Sequence, residues 1–228
     1  MDPQRDPAHC GQCGRACAAS QFCGRALCRA ADFSQLCQLP LATVILDELD
    51  EDGDAGLSMG AALAAACTPA VGARTVGQAD AGVLAVATGA PLALGELLVV
   101  GGGSFGQVAV HWLESTLQAS VRDTSSAADA IYSLRDGGVV SSVPFPTLSL
   151  TRDRVLVQVV RAESGALVLH AAGFYGPGTL AAAYYFAQSI LSVRANLTTR
   201  WYVVEWQDLD ASGGPTAADR YTLIASGS

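Results

Sequence analysis

Five cysteines fall within nineteen residues near the amino end, at Cys10, Cys13, Cys17, Cys23 and Cys28, and the rest of the chain holds only Cys37 and Cys67. A segment of roughly thirty residues cannot bury enough apolar surface to fold unaided. The run Cys10-Gly-Gln-Cys13-Gly-Arg-Ala-Cys17 therefore reads as a small knot stapled by disulfides, and the compartment as an oxidising one, outside the cell or in a periplasm. Zinc is the rival use of these thiols. It needs two ligand pairs at close spacing, and only Cys10 and Cys13 form such a pair, followed by Cys17 after three further residues and Cys23 after five. All seven cysteines are disulfide candidates, but seven is odd and spacing does not give the connectivity.

The Cys-Gly-x-Cys-Gly-x-x-Cys run, with Phe22-Cys23 and Cys28 after it, resembles the short cysteine repeats of the stigma-specific protein family over residues 8 to 29. That resemblance implies export rather than an activity. No secretory leader precedes the knot, so an exported chain is expected to begin here in processed form.

At 228 residues, half of them apolar, the chain has material for the knot, expected over residues 1–38, and one sizeable domain over residues 39–228. All thirteen basic residues are Arg and the one Asn is Asn196, a bias that suggests a GC-rich bacterial genome more than a function. A net charge of −8 argues against nucleic acid or an anionic membrane surface as partner, since both need clustered cations. The longest apolar stretch, Gly82 to Val100, is broken by Gly89, Pro91, Gly95 and Glu96, so no span is expected. Positive mean hydropathy, few charges and aromatics near the carboxyl end suggest self-association into an oligomer or polymer.

Leu97 to Val100 reads as a strand buried on both faces, followed by the turn Gly101-Gly-Gly-Ser-Phe-Gly106 and a helix from Gln107 to Ser120. Asp153 to Val160 and Ala166 to His170 read as strands, then a Gly-rich turn and a helix over Thr179 to Val193. Such alternation predicts an α/β fold, a mainly parallel sheet flanked by helices with a flavodoxin-like element. Trp201 to Trp206 and Tyr221 to Ala225 read as a closing strand pair.

Between those last strands, Asp208, Asp210, Ser212, Thr216 and Asp219 place oxygen side chains at loop positions 1, 3, 5, 9 and 12, with Gly213 at 6. A hard cation such as Ca²⁺ wants six or more oxygens within a tight radius, and this spacing wraps a loop around one ion. The loop resembles those of EF-hands and dockerins, with Asp in the last position as in dockerins. Asp50, Asp52, Asp54 and Ser58 form a weaker copy in what reads as an acidic turn, with Ala61 at its twelfth position. Ca²⁺ is the cofactor expected, against an Asx-rich turn that binds nothing at the first loop and a solvated acidic turn, the stronger reading, at the second.

Two enzymatic readings compete for Gly101–Gly106. The spacing Gly101-x-Gly103-x-x-Gly106 fits the dinucleotide-binding fingerprint of an oxidoreductase, with Asp123 where a ribose-binding acid belongs. The overlapping Gly102-x-Ser104-x-Gly106 fits a nucleophile elbow, with Asp153 and His170 to complete a serine hydrolase triad. His170 lies inside an apolar strand, which favours a packing role. A tight turn after a buried strand explains the glycines without chemistry.

Leu97-Leu-Val-Val-Gly-Gly, followed by Ala166-Leu-Val-Leu-His-Ala-Ala-Gly-Phe-Tyr-Gly-Pro-Gly-Thr-Leu-Ala-Ala-Ala, resembles paired strand ends of archaeal-type S-layer proteins and related exported flavodoxin-like modules, over residues 95 to 193. It departs where that family has Pro after the Gly pair and Gly103 stands here. The resemblance implies a non-enzymatic, extracellular surface-layer protein that assembles with its own copies in a calcium-dependent way, with a cell-surface glycan as a further partner.

Overall fold

The computed structural model describes residues 8–228, apart from 13, 19–20, 25, 40, 47–49 and 93–96. The amino-terminal hairpin pairs β1 (Gln21–Gly24) with β2 (Leu27–Ala30). A 3-10 turn at Phe33–Gln38 leads into β3 (Leu41–Leu46), α1 (Asp50–Ala66) and β4 (Gly72–Gly77). Then follow β5 (Leu97–Gly101), α2 (Val108–Ser115), β6 (Val121–Asp123), β7 (Asp129–Leu134) and β8 (Val139–Pro144). The chain closes with β9 (Arg152–Arg161), β10 (Leu167–Gly173), α3 (Gly176–Tyr185), β11 (Trp201–Gln207) and β12 (Arg220–Gly227).

Seven strands form the main sheet in the order β12-β11-β9-β10-β5-β3-β4. Alternation along the strands explains its two covers. Leu97, Val99, Leu167 and Leu169 point to one face, where α1 and α3 pack side by side, and Leu98, Val100 and Val168 point to the other, beneath α2 and the segment carrying Val83 and Leu84. On α1, Ala55, Met59 and Leu63 recur at every fourth residue and are fully buried. Gly56 and Gly60 lie against Val44, and a Cβ on Gly60 would stand 2.7 Å from Val44 Cγ2, so glycine there lets helix and strand touch. β6, β7 and β8 make a second, antiparallel sheet, whose Val121 and Tyr132 pack on Leu156 and Val203 of the main one.

The expectation of a mainly parallel, flavodoxin-like sheet is overturned. β4, β3, β5 and β10 run parallel, but β9, β11 and β12 join antiparallel, as do all strands of the second sheet and the hairpin. The fold is predominantly β with mixed and antiparallel sheets. The physical reason is loop length: a parallel connection needs a crossover of a dozen or more residues. β9 returns into β10 through a tight turn, with Ala162 N–H to Ala166 O at 2.8 Å and Gly165 at φ +92°. β11 and β12 are likewise joined by a loop and not by a helix.

Among the described residues three disulfides are present: Cys10–Cys23, Cys17–Cys28 and Cys37–Cys67. Cys13 lies outside the described residues. Cys23 and Cys28 are directly opposed across β1 and β2, and each bonds back to the loop before the hairpin, so the knot is two staples around one turn. The knot is continuous with the rest of the chain. Phe22, Phe33 and Leu36 belong to the same core cluster as Val44, Val99 and Val157, and Cys37–Cys67 ties the 3-10 turn to the end of α1. No helix among the described residues is long and apolar enough to cross a membrane.

Candidate functional site

The Asp208–Asp219 loop hangs between β11 and β12 at an open end of the sheet. Asp208, Asp210 and Asp219 each offer a carboxylate oxygen within 4.8 Å of the others. Asp208 Oδ2 accepts the Gly213 N–H at 3.0 Å, so the glycine at loop position 6 closes the first half-turn, with Gly213 at φ +79°. Asp210 accepts from the Ser212 N–H at 3.0 Å and the Thr216 hydroxyl at 2.8 Å. Hydrogen bonds from Ser212, then Thr216, hold its carboxyl below the ordinary range.

Asp219 organises the loop from its far end. Its Oδ2 accepts Trp206 Nε1–H at 3.0 Å and Thr216 N–H at 2.9 Å, and its Oδ1 accepts Leu209 N–H at 3.2 Å. The loop is thus anchored to a fully buried tryptophan of β11. By contrast, Asp208 Oδ1 is buried and receives no hydrogen bond among the described residues. Crowded carboxylates, one with an orphaned oxygen, and an all-oxygen donor set completed by Ser212 and Thr216 fit a hard divalent cation. Asp208, Asp210 and Asp219 would hold it, with the two hydroxyls beside them.

The other acidic stretch is helical. Asp50 opens α1, and Asp52, Asp54 and Ser58 follow on its turns, Asp52 buried, Asp54 and Ser58 exposed. Asp52 and Asp54, two residues apart on the helix, point to different sides, while Asp54 and Ser58 share an exposed face, so the turn reading is replaced by a helix. Carboxylates in a first helical turn are stabilised there by the helix dipole.

The Gly101–Gly106 turn is packed by α1. A Cβ on Gly101 would fall 2.1 Å from Asp52 O, and on Gly102, at φ +99°, the same distance from Asp52 Oδ2. Glycine is required because the helix start presses on the strand end. The Asp52 carboxylate stands where a pyrophosphate would approach, an unfavourable neighbour for an anion. Asp123 accepts the Ser125 N–H at 2.8 Å and so closes a local turn.

The three candidate triad residues are not brought together. His170 Nε2 lies 2.8 Å from Gly102 O and must carry the proton there, which leaves Nδ1 to accept from Gln158 Nε2 at 3.1 Å. Gln158 in turn pairs with both backbone groups of Val121, at 3.1 and 3.0 Å, and so pins the second sheet onto the first. Burial holds the His170 pKa down at about 4. Asp153 is fully buried at the start of β9 and accepts the N–H groups of Tyr175 and Arg154 at 2.8 and 2.7 Å, docking the entry to α3. Burial raises its pKa to about 7. Ser104 bonds instead to Glu114, whose carboxyl burial also pushes up. Sequence reading missed Gln158 and Glu114, because their partners lie on other elements and leave no local pattern.

Comparisons of this chain with protein-family models, curated proteins and solved structures return no match.

Proposed function

We propose that this chain is a non-enzymatic, extracellular structural module of a cell-surface layer or filament, stabilised by its disulfides and by Ca²⁺ in the Asp208–Asp219 loop. The observation that carries the reading is the set of three disulfides, which bind the amino-terminal segment to itself and to the main core and persist in oxidising compartments. The resemblance of residues 95 to 193 to exported surface-layer modules agrees with it. So does the use of His170 and Asp153 as packing groups.

Assembly would use the free edge of the main sheet. β12 ends the sheet beside β11, exposes Leu223 and Ile224, and carries Arg220 as its sole charge. Edge strands so lightly charged accept a further strand readily. The ion, when bound, supplies charge neutralisation to the loop that sets the β11–β12 register. Electron microscopy of native material with and without a calcium chelator tests the reading. Ordered sheets or filaments that disperse on chelation support it; monomers under both conditions refute it.

A further inference from the structure

A cleft of about 710 Å³ opens at the end of the main sheet opposite the Gly101–Gly106 turn. Its walls are the end of β9 (Val159, Val160, Arg161), the start of β11 (Arg200, Trp201), the β7–β8 turn (Leu134, Arg135, Asp136) and the residues after α2, with Ser228 beside them. Three of the thirteen arginines of an acidic protein line it, from three separate stretches of sequence, beside one residue with a carboxylate side chain, Asp136. Such a volume suits a small-molecule ligand.

We propose that this cleft binds a small organic oxyanion carrying two or more carboxylate or phosphate groups. Guanidinium groups recognise planar and tetrahedral oxyanions through paired N–H donors. Arg135 is exposed at the rim, while Arg161 and Arg200 are half-buried at the strand ends. Burial pushes the Arg161 guanidinium below its ordinary pKa, and an anion beside it offsets that cost. Gln118 and Ser120 add neutral polar groups to one wall, and Trp201 with Leu117 and Leu134 gives the organic part an apolar surface.

Calorimetric titration of the whole protein in calcium-free buffer, with citrate, pyrophosphate and uncharged maltose as probes, tests this. Citrate or pyrophosphate, or both, should saturate one site, with affinity falling as salt rises; which of them binds distinguishes the carboxylate from the phosphate source. Arg135→Gln and Arg200→Gln should each weaken binding about tenfold or more with the melting curve little changed, and Asp136→Asn should tighten it. No saturable binding of either anion, or unchanged binding in the Arg135→Gln/Arg200→Gln double variant, overturns the proposal. Surface assembly and this site can fail independently, because they occupy different parts of the fold.

Discussion

Replacing both Cys37 and Cys67 by Ala opens a covalent loop with a sequence separation of 30. On the chain-entropy relation, a cross-link over that length restricts the unfolded chain by about 3.6 kcal/mol at 25 °C. A smaller native-state loss adds to it. Arg194 is the hub of that corner: its guanidinium donates to Cys37 Sγ at 2.9 Å, Leu191 O at 2.7 Å and Ala66 O at 3.0 Å, joining the 3-10 turn, the end of α1 and the segment after α3. Losing the sulfur acceptor and leaving two small voids brings the expected total to about 4 to 5 kcal/mol. For a chain of this size that is a fall of about 8 to 20 °C in Tm. Guanidinium denaturation followed by tryptophan fluorescence, with no reductant, measures the difference, and when both proteins are fully reduced it should fall to the smaller native-state part of about 1 kcal/mol. A difference below about 1 kcal/mol under oxidising conditions, or one that survives reduction unchanged, would refute the argument from loop entropy.

Gly178→Ala should destabilise by about 2 to 3 kcal/mol or more, since its Cβ would sit 1.9 Å from Asp153 Oδ2, and a double-mutant cycle with Asp153→Ala in urea denaturation should show strong coupling. Gln107 is fully buried just before α2 with neither side-chain amide atom hydrogen-bonded among the described residues, so Gln107→Leu should be neutral or stabilising by about 1 kcal/mol; a loss of more than that by denaturant titration refutes the assignment. Buried His170, with its pKa held at about 4, contributes stability that is full above the unfolded value near 6.5 and lost as pH falls towards 4, about 3 kcal/mol in all. Asp153, raised to about 7, has the opposite sign, its contribution being full below the unfolded value near 4 and lost as pH rises to 7, about 4 kcal/mol. The two oppose each other, so this pair should leave little slope between pH 4 and 7, while Asp153→Asn should unmask a stability that rises with pH across that window.

What the sequence made legible was local. Leu97 to Val100 reads as a doubly covered strand and is one, because four consecutive apolar side chains need cover on both faces. The β11–β12 pair and the Asp208–Asp219 loop were legible for the same reason, since the loop's partners lie within it or on the adjacent tryptophan. Strand direction was not. β9 and β10 are apolar strands whichever way they run, and the short Ala162–Ala166 turn decides against the parallel option only once both strand ends are fixed. The acidic start of α1 misled in a different way, because carboxylates favoured by a helix dipole have the same composition as a cation-binding turn. Nothing local marked the cleft, whose Arg135, Arg161 and Arg200 come from separate stretches of sequence and line one opening through the packing of the two sheets.

Parallel strands usually present their chemistry beyond their carboxyl ends, where connections leave on opposite faces and a crevice opens. Here α1 leaves β3 on one face and α2 leaves β5 on the other, so the topology supplies such a place; the chain's own side chains pack against the glycines, and a pocket of about 350 Å³ lined by Ser104, Phe105 and His111 opens beside them. Asp52 lies against Gly102, Glu51 packs over Gly176, His170 is locked between Gly102 and Gln158, and Asp153 holds the entry to α3. Each of these polar groups is committed to joining a helix or the second sheet to the main one. At the opposite end of the sheet, where β9 ends and β11 begins, half-buried Arg161 and Arg200 line the cleft of about 710 Å³. Antiparallel addition of β9 and β11 to a parallel core therefore sets the arginine-lined cleft at the amino ends of the parallel strands, away from the glycine turn at their carboxyl ends, which is why the two call for separate experiments.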